Sequence, residues 1–174
     1  MRRIVLIDGE NLVYGLRTIL GTDTERAPRS IINELDIRGM LEELLADNLP
    51  NAIIWFGARL RVYNHNHEIK QKSEAAVFIQ SAFMNYLQSQ RIIFNKVGYL
   101  RARESDPCPK CGEQIWKLAE KGVDVGLAVA MLTEGSVKDT ELVVITSDTD
   151  LVPAFRAAKK MGAKLMHVGF ENRP

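Results

Sequence analysis

Apolar residues along this chain follow two alternating rhythms. Residues 3–7 (Arg-Ile-Val-Leu-Ile) form a short aliphatic and β-branched run, and residues 52–56, 141–146 and 163–168 repeat it, with 91–97 as a weaker fifth. Runs of this length and composition suit strands buried on both faces. Between them, residues 11–20, 36–46, 74–88, 123–132 and 150–161 carry apolar side chains at three- and four-residue spacing, which predicts helices. The resulting order, β-α-α-β-α-β-α-β-α-β, argues for an α/β fold. Its mostly parallel five-stranded sheet would be flanked by helices and joined by right-handed crossovers. Ligands of such sheets bind at the carboxyl ends of the strands. The helix at 123–132 is apolar around its whole circumference and is expected to be buried.

Three stretches break the rhythm. Residues 21–30 read as a polar loop, 59–72 as a basic and aromatic loop, and 98–122 hold both cysteines. Loops of about 12 residues or more are often functional. No repeat, low-complexity tract or linker divides the chain, so residues 1–174 read as one domain with 98–122 as a Cys-x-x-Cys loop insertion. The chain stops at Pro174, soon after its last strand, where a further helix is expected; it therefore reads as truncated at the C-terminus.

Composition narrows the class without naming a function. With 46% hydrophobic and 26% charged residues among 174, the chain is globular, neither disordered nor fibrous. The apolar stretches at 52–56 and 125–132 fall far short of the ~18 residues that span a bilayer. The N-terminal run at 4–7 ends at Asp8, too short for a secretory signal, so a cytoplasmic location without membrane contact is expected. Lys and Arg number 23 against 22 Asp and Glu, a net charge of +1. Nucleic-acid binding must therefore rest on where charge lies, not on its total.

The acids at strand ends are the first such feature. Asp8 follows the first strand and Asp148 the fourth, with Asp150 two residues on. Pro153 fits only the first turn of a helix, so Asp148 and Asp150 flank a strand-to-helix turn. Each acid alone has a local explanation as a helix cap or turn residue. Asp124 likewise suits the positive end of the helix it begins. Taken together they ask for more. If the second, first and fourth strands lie side by side, Asp8 and Asp148 are neighbours and the helix bearing Asp124 starts beside them. Clustered carboxylates are costly unless a hard cation such as Mg2+ or Mn2+ holds them. The corresponding chemistry is metal-activated water attacking a phosphodiester.

Three motifs occur in order: Val5-Leu6-Ile7-Asp8-Gly9-Glu10-Asn11, Lys121-Gly122-Val123-Asp124-Val125, and Thr146-Ser147-Asp148-Thr149-Asp150-Leu151-Val152-Pro153. Together they resemble the NYN domain, a branch of the PIN-like nuclease superfamily, and especially its LabA-like members. The resemblance implies a PIN-like Rossmannoid three-layer sandwich and a metal-dependent endoribonuclease site at Asp8, Asn11, Asp124, Asp148 and Asp150. The four acids would hold Mg2+ or Mn2+, and Asn11 would orient a ligand or phosphate. The chain departs from the family pattern at Ala130, where the helix often carries a second Asp.

Within residues 59–72, Arg59, Arg61, Lys70 and Lys72 outnumber Glu68, and Tyr63, His65 and His67 offer rings for stacking. A basic groove with ring platforms suits single-stranded RNA, whereas the same composition also describes a solvated loop. Cys108-Pro-Lys-Cys111-Gly is half of a zinc knuckle. Two chains could pool their cysteines in a homodimer, or His65, His67 or His167 could complete a site within one chain. The alternatives are plain thiols, a loop disulfide or redox use. The leading expectation is thus an endoribonuclease that cuts single-stranded or structured RNA. Its rival is a catalytically weakened RNA-binding or dimerising module. A haloacid-dehalogenase-like phosphatase fits less well, because Glu10 stands where the second Asp of such enzymes is usually found.

Overall fold

The computed structural model describes residues 1–19, 35–46 and 49–170. The polar stretch expected at 21–30 lies outside them, as does Leu20 at the end of the first predicted helix. Among the described residues six strands form one sheet, in the order β4-β3-β2-β1-β5-β6. These are β1 (Arg2–Asp8), β2 (Ala52–Arg59), β3 (Ile93–Glu104), β4 (Trp116–Lys121), β5 (Thr140–Ile145) and β6 (Lys164–Val168). All neighbours pair in parallel except β3 and β4. The helices are α1 (Gly9–Ile19), α2 (Ile37–Leu45), α3 (His67–Ser89), α4 (Val123–Gly135) and α5 (Val152–Lys160).

The period-2 alternation of β1 builds the two faces of the sandwich. Val5 and Ile7 point into one apolar cluster with Leu12 and Val13 of α1, Ile37 and Leu41 of α2, and Phe83 and Leu87 of α3. Ile4 and Leu6 point the other way, onto Val123, Leu127 and Met131 of α4 and Ala158 of α5. β1 therefore lies between two cores, which explains why its sequence is a continuous apolar run without polar alternation. Close helix packing constrains Gly9 in particular: a Cβ there would stand 2.2 Å from Trp55 Nε1 and 2.6 Å from the Phe56 carbonyl. α1 can leave the strand at this angle only over a glycine.

Three expectations need correction. The sheet has six strands, not five, because 98–122 is no irregular loop: β3 runs on to Glu104 and β4 returns antiparallel, with Tyr99 opposite Lys121 and Glu104 opposite Trp116. The polar alternation of this edge hairpin hid it from a search for buried runs. The segment 59–72 is likewise only partly a loop. Arg59 ends β2, and α3 begins at His67, capped by the Asn66 side chain accepting from the Ile69 amide at 2.9 Å. Finally, α4 is not buried all round. Val125 and Val129 are 67% and 57% exposed, since a helix on the outside of a three-layer sandwich covers only the side that meets the sheet and its neighbours.

Candidate active site

β2, β1 and β5 lie side by side, so Asp8 at the end of β1 and the turn after β5 share the carboxyl edge of the sheet. The β3–β4 hairpin delivers a third component. β4 returns alongside β3 to Lys121, and Gly98 and Gly122 touch backbone to backbone there, a Cβ on Gly98 falling 2.2 Å from the Lys121 carbonyl. Gly122 adopts φ 80°, which turns the chain directly into α4. Asp124 thus enters the same edge in the first turn of α4.

Asp8 is buried and fully engaged. Its Oδ1 accepts the Asn11 backbone N–H at 3.2 Å; its Oδ2 accepts Asn11 Nδ2 at 2.7 Å and the Thr146 hydroxyl at 3.0 Å. Asn11 in turn accepts the Ser147 amide on its Oδ1 at 3.3 Å. The Thr146 hydroxyl also accepts the Asp148 amide at 3.1 Å, and Asp148 accepts the Asp150 amide at 2.8 Å. Helix capping and site building are therefore done by the same groups. Asp8 caps α1 while Asn11 and Thr146 tie that cap to the turn after β5.

The acids feel one another. Burial raises the Asp8 carboxyl above its ordinary range; the donors from Asn11 and Thr146 pull it back in part, and the charge of Asp124 adds to the rise. Asp124 is raised by partial desolvation first, then by Asp148 and Asp150, with Lys121 opposing. Its own charge is in turn one of the causes that raise Asp8. The acids do not form a closed cage: among the described residues, no three His, Cys, Asp or Glu side chains converge as a ready-made metal site.

A match to a family model settles the ancestry, since the model named NYN domain aligns with residues 2–174. The chain belongs to the NYN domain family. No curated protein and no solved structure matches it. The family is nuclease-like, and the mostly parallel sheet flanked by helices agrees with a PIN-like NYN fold.

The remaining expected residues are distributed as follows. Arg59 lies at the end of β2, on the same edge as Asp8. Arg61 stacks on the Tyr63 ring at 4.7 Å. Tyr63 is no open stacking platform. It is buried against Ile69 and Leu100, its hydroxyl donates to the Leu100 carbonyl, and its amide donates to Ser73 Oγ at 2.9 Å. Lys70 and Lys72 sit on the first turns of α3, paired with Glu74 at 3.9 Å and with Glu68. His65 leans on Trp116 and Tyr63, and His167 bonds the Thr146 carbonyl at 2.8 Å. Among the described residues no histidine groups with Cys108 and Cys111.

Thr146, Glu10 and Glu120 are not among the site residues expected from the sequence. Thr146 joins the two acid-bearing strands, and its hydroxyl identity in the run Ile-Thr-Ser-Asp was the available signal. Glu10 and Glu120 line a small cavity with Trp55 and Gln80. Glu120 was overlooked because β4 was taken for loop. Ala130 packs against the apolar cluster beneath α4.

Proposed function

We propose that this NYN domain is a metal-dependent endoribonuclease of the LabA-like branch, with Asp8, Asp124, Asp148 and Asp150 as its acidic site. The observation that carries the reading is the convergence of three elements at one sheet edge: the Thr146 hydroxyl joins Asp8 to the Asp148 amide, and Asp124 opens α4 close enough to raise the Asp8 carboxyl. Structural capping alone accounts for each acid but not for their shared location. Concentrated carboxylate oxygen suits Mg2+ or Mn2+, which binds through one or two carboxylates and keeps its remaining positions for water and phosphate. A closed protein cage is therefore not required, and residues that repel one another without a cation fit its binding. When bound, such an ion supplies water activation and charge stabilisation at a phosphodiester.

The chain's own residues supply position. Thr146 and Asn11 hold Asp8 in one orientation, and Asp148 is fixed by the Thr146 hydroxyl at its amide. Arg59 and Arg61 follow β2 at the same edge and offer cationic partners to an RNA backbone, as do Lys70 and Lys72 once their exposed ion pairs exchange for phosphate. Ala130 favours the second reading, a binding module with weakened catalysis, because no carboxylate stands at that helix position. Anomalous diffraction from crystals soaked in Mn2+ tests the first. A peak beside Asp8 and Asp124 is expected; ordered Mn2+ only elsewhere contradicts it.

A further inference from the structure

The Cys-Pro-Lys-Cys-Gly segment forms the tip of the β3–β4 hairpin, and its geometry is that of half a metal site. The Cys108 amide donates to the Glu113 carbonyl at 2.9 Å, and the Gly112 amide donates back to the Cys108 carbonyl at 2.8 Å. Gly112 closes this turn at φ 72°. Cys108 and Cys111 line the same shallow hollow beside this turn. The two cysteines are thus neighbours on one tight turn.

Among the described residues nothing completes the coordination. Asp106 and Glu113 share a shallow hollow with the cysteines, yet among the described residues no third ligand converges on them. The hairpin also runs past the parallel part of the sheet, its root packed on Tyr63 and Ile69. Arg59 of β2 pairs at Tyr99, so β3 continues for the five residues Leu100–Glu104 beyond its parallel neighbour, or about 17 Å at strand rise. Cys111 is exposed at the far end. Charges of both signs flank the tip: Lys110 lies between the cysteines, Arg103 faces Lys117 across the ladder, and Glu104, Asp106 and Glu113 stand close by.

We propose that Cys108 and Cys111 from two copies of this chain together bind one zinc ion in a four-thiolate site that joins the hairpins tip to tip. Tetrahedral zinc takes four thiolates in closed structural sites, and two identical half-sites supply that number with two-fold symmetry. The resulting centre is anionic, and Lys110 between the two ligands offers it a local counter-charge. It lies outside the acidic cluster and stands or falls independently of the nuclease reading.

The test is zinc content and oligomeric state of the full chain purified under reducing conditions from zinc-containing medium. One zinc per two chains is expected, in a dimer that a strong chelator converts to monomer without melting the sheet. Cys111→Ser is expected to abolish both zinc and dimer while leaving the far-ultraviolet dichroism unchanged, and Cys108→Ser should do the same. Cobalt replacement should give tetrathiolate absorption, saturating at one ion per two chains. One zinc per chain, no zinc, or a dimer that survives chelation or either substitution would overturn the proposal.

Discussion

The Thr146 hydroxyl donates to Asp8 Oδ2 at 3.0 Å, linking the adjacent parallel strands β1 and β5 at the edge where the acids gather. Both residues are buried, at 1% and 2% exposure, so water cannot replace either partner. Because the same hydroxyl accepts the Asp148 amide, one side chain sets the relative position of two acids from opposite ends of the sequence.

Thr146→Val keeps the shape and removes both bonds. It leaves a buried carboxylate with one donor fewer and an amide without its acceptor, a loss of about 1–3 kcal/mol. Denaturant melts should show this cost, and Asp8 should titrate at still higher pH because a lowering contact is gone. Parent stability in the variant would mean that Thr146 is not holding Asp8.

Gly9→Ala places a methyl group inside contact distance of Trp55 and the Phe56 backbone. Relief requires shifting α1 or the Trp55 ring, which packs edge-on to Phe83 at 5.0 Å. Overpacking of this kind costs roughly 1–3 kcal/mol. A lowered melting temperature accompanied by weakened Mn2+ binding is expected, since α1 carries Asn11 and abuts Asp8. An unchanged melt would show that the interface yields easily.

The raised carboxyls of Asp8 and Asp124 give a pH dependence of definite sign. With both pKa values above those of the unfolded chain, their favourable contribution is complete below the ordinary aspartate value and is lost as pH rises through the folded values. Metal-free protein should therefore gain stability from these groups on mild acidification from neutral pH, and Asp124→Asn should flatten that gain. Added Mn2+ should oppose it, because protons and the cation compete for the same oxygens. A parent and variant with identical pH profiles would remove the coupling. Asp124 is the better probe than Asp8, whose carboxylate accepts from three donors and would meet a donor with a donor if made an amide.

Replacing Arg59, Arg61, Lys70 and Lys72 together by Ala should weaken single-stranded RNA binding and flatten its dependence on salt, because fewer counterions are released. The sheet should survive, as these side chains lie outside both main clusters. Equal affinity and an equal salt slope would show that the basic segment is only solvated.

How much of this was readable in the chain depends on burial. β1 and β5 are covered on both faces, so their unbroken apolar runs announced a central parallel sheet and placed Asp8 and Asp148 at one edge. β4 has no such run. Trp116-Lys-Leu-Ala-Glu-Lys121 sits at the sheet margin with Lys117 and Lys121 open to water, and its pairing depends on β3 rather than on its own pattern. Tyr63 misled for a related reason: a ring in a basic stretch looks like a stacking platform until the hairpin supplies Leu100 to bury it. Thr146 could be seen as a residue but not as a bridge, because its two partners meet only once the strands are side by side.

The central claim is that Asp124 and its acidic neighbours hold a divalent cation for RNA cleavage. It is tested most directly by following an internally labelled, unstructured RNA with the parent and with Asp124→Asn, in Mn2+ and in chelator. The parent should cut internally only with the cation, and the variant should fall by roughly 100-fold or more while keeping its fold and RNA affinity. Cleavage that persists in chelator, undiminished cleavage by the variant, or RNA binding without cleavage by the parent would contradict it.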